Sequence, residues 1–169
     1  MDNLNFVFIE KKIRKKTFGI LTTLNHDGTP HTTGILYAVS APSSQFALYF
    51  ITSEKYKKVR NIKKNPHVSF IIPFPHYYLR FAPSGTVTFN GKIELVSIDT
   101  PEIFELFQRK RILRLITKEI KKDFTDPYLF MKMVAESKVL CFGVGINVMK
   151  LRKHHPQGSY SVIIPEERL

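Results

Sequence analysis

Cysteine is almost absent: Cys141 is the only one in 169 residues. It has no internal disulfide partner, and a zinc site built from several cysteines is excluded. A reducing, cytoplasmic location is therefore expected. Tryptophan is missing altogether, and acidic residues are few, 14 Asp and Glu against 26 Lys and Arg. No run of about 18 uncharged apolar residues occurs, so no membrane-spanning helix is expected. The apolar run 6–9 precedes its basic cluster, the reverse of a secretory signal. Three common catalytic signatures are also missing: a Gly-rich phosphate loop, His-Glu-x-x-His and a nucleophile elbow. The adjacent His154 and His155 would point to opposite faces of a strand, so no metal site is expected.

What is present is basic charge in clusters. The net charge is +12. Residues 10–16 carry +4, 54–64 carry +5, 109–122 carry +6 and 150–155 carry +3, so the rest of the chain is acidic. Nucleic acid, an anionic surface or phosphorylated small molecules are partners such a field attracts.

Apolar spacing predicts a short helix over 5–16 and strands over 18–24 and 32–39, joined at the turn Asn25-His26-Asp27-Gly28. A third strand covers 46–52. Ser53 is read as the N-cap of a helix with the stripe Tyr56, Val59 and Ile62, ended by Pro66. Strands follow over 67–72 and 86–96, with Asn90-Gly91 as a hairpin turn or a bulge. Pro101 lies in the first turn of a helix running to about Lys122. Asp126-Pro127 is read as opening a second helix to about Ser137. Strands over 139–149 and 160–164 close the chain. The pattern is a single α+β domain over 1–169, a barrel with a helical insertion at about 99–137.

One segment stands out chemically. Thr52 and Ser53 end a strand just before a helix that carries Lys55, Lys57, Lys58 and Arg60. A helix start offers free N–H groups and a partial positive charge, so hydroxyls and lysines there suit a phosphate.

In its context this segment resembles a known family. Phe18-Gly-Ile-Leu-Thr-Thr-Leu-Asn-His-Asp-Gly-Thr-Pro-His-Thr-Thr-Gly-Ile-Leu-Tyr37, then Leu48-Tyr-Phe-Ile-Thr-Ser53, then Lys57-Lys-Val-Arg-Asn-Ile-Lys-Lys-Asn-Pro-His-Val-Ser69, is similar to the flavin-binding split β-barrel family typified by pyridoxamine 5′-phosphate oxidase. The resemblance implies a six-stranded antiparallel Greek-key split barrel with peripheral helices. It implies a homodimer with FMN at the subunit interface and flavin-dependent oxidoreductase chemistry. Lys58 would meet the flavin phosphate, with Lys57, Thr52 and Ser53 beside it. Thr32, Thr33, Gly34 and Ile35 would line the ring, and the partner subunit would offer Thr86 or Thr88.

The sequence departs from the oxidase pattern at several points. Thr33 replaces an arginine, and Tyr56 replaces a serine. Arg152-Lys153-His154 keeps the spacing of a substrate-binding Arg-x-His but lacks the tryptophan that accompanies it. Oxidation of pyridoxamine phosphate is therefore not expected, and the catalytic residues are left open. The same fold can hold a deazaflavin or haem in place of FMN. A basic nucleic-acid-binding protein is the alternative from another class.

Overall fold

The computed structural model describes residues 4–75, 83–122, 127–153 and 158–169. The order is α1 (Phe6–Ile13), β1 (Phe18–Leu24), β2 (Pro30–Val39), β3 (Ala47–Ser53), α2 (Lys57–Lys64), β4 (His67–Phe74), β5 (Gly85–Ser97), α3 (Pro101–Gln108), α4 (Arg111–Lys122), β6 (Tyr128–Phe142), α5 (Val148–Lys153) and β7 (Ser159–Ile163). All strand pairs are antiparallel, in the order β3-β2-β1-β4-β5-β6-β7. A β3–β6 pairing closes the first six into a barrel, and β7 extends the C-terminal half of β6. The fold is the expected α+β split barrel.

Alternation along the strands sends one set of side chains inward. Leu21, Ile35, Tyr37, Leu48, Phe50, Phe70, Val87, Phe89, Met131 and Met133 fill the barrel. Phe70 sits edge-on to Tyr37 and Phe50, with centroids 5.3 and 4.9 Å apart. α1 closes one end with Phe6, Ile9 and Ile13, and the Tyr37 hydroxyl donates to the Ile13 carbonyl (2.7 Å). α2 closes the other with Val59 and Ile62. A second cluster lies outside the barrel, where Ile103 and Phe107 of α3 and Leu113 of α4 cover Ala38 and Phe130.

Asn90-Gly91 is a bulge within β5, not a hairpin: the register against β6 shifts between Phe89 and Gly91. A Cβ on Gly91 would lie 2.2 Å from the Val134 carbonyl oxygen, so only glycine fits this approach.

Four expectations are corrected. The helix read from Pro101 to about Lys122 is two, α3 and α4, broken at Arg109-Lys110, which lets Phe107 and Leu113 pack on the same outer patch. The helix read over 126–137 is strand from Tyr128 onward. Leu129, Met131, Met133 and Ala135 point inward while Phe130 packs outward, a period of two that Asp126-Pro127 disguised as a helix start. The late strand stops at Phe142, because Gly143 and Gly145 turn the chain at φ 68° and 78° and α5 follows. Ser53 does not cap α2: it completes β3, and the cap residue is Tyr56, which is exposed rather than part of the buried stripe.

Candidate functional site

β3 runs out into the barrel end closed by α2, and its last two side chains are buried, Thr52 at 4% exposure and Ser53 at 0%. Ser53 Oγ accepts from the Lys55 N–H (3.3 Å). Thr52 Oγ1 has no hydrogen-bond partner among the described residues. A buried polar atom left so costs about 1–3 kcal/mol, which makes it a place where a ligand atom gains.

Lys57 and Lys58 open α2. No side chain caps this helix and no acidic residue occupies its first turn, an arrangement that favours an anion at its start. Lys57 is exposed. Lys58 is half-buried with Nζ 4.4 Å from the Tyr56 ring centroid, and burial holds its amine below the ordinary lysine range.

Asn61, on the buried side of α2, fixes where these lysines stand. Its Nδ2 donates to Thr23 Oγ1 (3.1 Å) and to Asn25 Oδ1 (3.2 Å), tying α2 to the end of β1. The same turn holds Asp27, whose carboxyl is drawn below its usual range by hydrogen bonds from the Thr29 hydroxyl (2.6 Å) and N–H (3.0 Å), with Lys57 adding to the effect. Asn61 lies inside the Lys57–Ser69 stretch that carries the sequence resemblance, but its role as a clamp needs the fold.

A cavity of about 470 Å³ opens beside this strand end, walled by Ile51, Tyr56 and Tyr128 and roofed by Leu115, Ile116, Glu119 and Ile120 of α4, with Thr52 and Ser53 in its lining, so one carboxylate faces the same space. That volume suits a small organic ligand, and the balance of apolar wall to a few polar groups is typical of such sites. The wall from α4 was not foreseen, because nothing in the sequence fixes where that helix docks.

The β2 candidates divide between two faces. Thr33 and Ile35 alternate with Tyr37 on the inner face, and Ile35 belongs to the core. Thr32 and Gly34 face outward. Thr32 Oγ1 and Thr22 Oγ1 share a hydrogen bond (3.0 Å). A Cβ on Gly34 would lie 2.8 Å from the Phe18 ring, so the bare backbone makes room for that aromatic. Thr86 and Thr88 face outward as well, and one row runs in register across the sheet: Gly34, Ile20, Ile71, Thr88, Leu140. These threonines are thus separated from β2 by β1 and β4 within one chain. The outer face has exposed Phe18, Leu24, Leu140 and Ile163. His76, Tyr77, Tyr78, His154 and the side chains of Arg152 and Lys153 lie outside the described residues. Among the described residues no group of three His, Cys, Asp or Glu side chains forms a metal site, and no helix is long and apolar enough to cross a membrane.

The chain is thus an α+β split barrel in which a strand end and a helix start bring two hydroxyls and two lysines close in sequence to one end of the barrel. The chain belongs to the pyridoxamine 5′-phosphate oxidase family, whose model matches residues 8–139. No curated protein matches the sequence. Among solved structures, the haem storage protein HutZ of Vibrio cholerae is similar at 16% identity and TM-score 0.62, over 80% of this chain and 94% of that one. A putative pyridoxamine 5′-phosphate oxidase from Listeria innocua is similar at 20% identity and TM-score 0.52, over 78% and 92%. A FAD-binding protein from Mesorhizobium loti is similar at 22% identity and TM-score 0.56, over 80% and 92%. At these identities the likeness is one of fold.

Proposed function

We propose that this chain binds a flavin, FMN first, and works as a flavin-dependent oxidoreductase on a small molecule. The observation that carries the reading is Thr52 Oγ1, buried and without a partner beside Ser53 and the start of α2. A phosphate oxygen accepts from that hydroxyl, from the first N–H groups of α2 and from Lys58. Lys57 adds charge from the exposed side. The flavin supplies hydride or electron transfer at its ring, and the protein supplies position and electrostatics. Thr32 and Gly34 offer the outer face of β2 to the ring, and Thr33 and Ile35 contribute backbone.

The functional unit in this reading is a homodimer of single-domain chains. The outer face leaves Phe18 and Leu24 of β1, Leu140 of β6 and Ile163 of β7 in water, and a second copy covers them. Thr86 and Thr88 then reach the flavin of the other subunit.

Purified protein stripped of small molecules and titrated with FMN tests this directly. A dissociation constant weaker than about 100 µM, roughly −5.5 kcal/mol, overturns it. The absorbance spectrum of whatever co-purifies separates flavin, deazaflavin and haem. Light scattering at micromolar concentration should give twice the chain mass of 19.6 kDa, and a monomer mass counts against the dimer.

A further inference from the structure

A second, smaller cavity lies at the other end of the barrel, where the turn between α3 and α4 rests on the end of α1. Its volume is about 70 Å³. Val39, Leu106 and Leu113 form an apolar floor, and Arg14, Arg109 and Lys110 stand around it. No carboxylate lines it among the described residues. The nearest acidic partner is Glu10, and it is already shared: Glu10 Oε1 accepts from Arg14 Nη2 (2.5 Å) and from Arg168 Nη2 (3.0 Å). One negative charge therefore meets two guanidinium groups, before Arg109 and Lys110 are counted.

The three cations also have donors to spare. Arg14 uses Nη2 on Glu10 and on the Ser40 carbonyl (2.6 Å), which leaves Nε and Nη1. Lys110 donates one N–H to the Lys16 carbonyl and has two more. Arg109 is exposed and forms no ion pair among the described residues. Burial and the nearby Arg14 both push the Lys110 amine below its ordinary range, the mark of like charges brought together with little water. An anion in the cavity relieves all three at once.

We propose that this cavity is an oxyanion site that takes one phosphate group, either inorganic phosphate or the end of a small phosphomonoester. The size agrees: at about 70 Å³ the space exceeds what a single water needs and admits a tetrahedral oxyanion. The site is at the opposite end of β3 from Thr52, so it is independent of the flavin reading.

Calorimetric titration of the full chain with inorganic phosphate, at ionic strength held constant with KCl, is the test. Wild type should bind with a dissociation constant on the order of 1 mM. Arg109→Ala, an exposed position whose loss leaves the fold intact, should weaken this at least tenfold. Lys118→Ala, on the exposed side of α4 away from the cavity, should leave it unchanged. Glycerol 3-phosphate run in parallel tells the two sources apart: tighter binding than inorganic phosphate assigns a phosphomonoester, and equal or weaker binding assigns the free anion. If phosphate gives no heat beyond that of KCl, or if Arg109→Ala and Lys118→Ala lose the same amount, the proposal is wrong and these cations only solvate the surface.

Discussion

At the start of β3 the Phe46 N–H bonds the Arg168 carbonyl (2.7 Å), the Ala47 N–H bonds Ser40 Oγ (3.0 Å), and Glu10 gathers two arginines. At its other end Thr52 Oγ1 is buried with no bond. At the first end the C-terminal turn, α1 and the β2–β3 loop bond one another, and the donors left over are those of the cationic cavity. The second leaves a buried hydroxyl without a partner beside a helix start and a half-buried lysine. The contrast teaches where stability and binding are divided: polar groups paired within the chain hold it together, and those left over point to a ligand.

The largest effect expected falls on the first end. Glu10→Ala leaves Arg14 and Arg168 partly buried without their carboxylate and should cost about 3 kcal/mol in urea unfolding. A loss under about 1 kcal/mol would mean that the apolar contacts of Phe6, Ile9 and Ile13 hold this end alone. FMN affinity of the folded variant should not change.

At the second end the pattern reverses. Lys58→Ala should lower FMN affinity roughly 10- to 150-fold, the equivalent of about 1.5–3 kcal/mol for a charge-assisted hydrogen bond, while unfolding stability hardly moves. Lys63→Ala is the control, an equal charge change in the last turn of α2. Fluorescence quenching on both apo variants decides: equal affinities for wild type and both variants put the phosphate elsewhere.

Thr52→Val is a finer probe, because it replaces an unsatisfied hydroxyl with a methyl of the same shape. Thermal unfolding should show a gain of up to about 1 kcal/mol, with FMN bound about fivefold to tenfold more weakly. A clear loss of stability would reveal a bond from this hydroxyl that the comparison of the two ends denies.

The smallest effect is a pH dependence. Burial lowers the Lys58 pKa below 10.5 in the folded chain. FMN affinity should begin to fall on the acid side of 10.5 as the ammonium loses its proton. The apoprotein behaves oppositely: a lysine whose folded pKa is depressed costs stability while charged, so that cost is relieved as pH rises through the folded value toward 10.5. Lys58→Arg should keep FMN bound across this range, and a wild-type affinity flat to pH 10.5 would remove Lys58 from the phosphate.

Much of this was legible in the sequence, because local patterns carry it. The Asp27-Gly28 turn, the β-rich runs on either side and Pro66 fix β1, β2 and the end of α2. Val59 and Ile62 mark the buried side of α2, and Thr52 falls at the end of β3, where the β-rich run predicts a strand to end. What was not legible depends on tertiary register. Residues 128–137 read as a helix until β3 and β5 are seen on either side of them, and only that pairing makes period two the right one. Ser53 has the chemistry of a cap, yet pairing with Tyr128 keeps it in β3. The division of Thr32, Thr33, Gly34 and Ile35 between two faces follows from strand geometry once β2 is known. The roof from α4 depends on where a helix packs, and the helix's own residues do not say.

β6 has a further consequence, for the order of events as the chain forms. It pairs with β5 along nearly its whole length, with β3 through its first half and with β7 through its second. The first hairpin can assemble early, but the edge of β3 must wait for a strand far downstream, with Ala47 idle until Val134 arrives. Contacts so distant in sequence form slowly. Until then β3 presents an unpaired edge to other chains, the exposure that leads to aggregation. Closure of the barrel is therefore the slow step expected in refolding, and low protein concentration is the condition under which it should succeed.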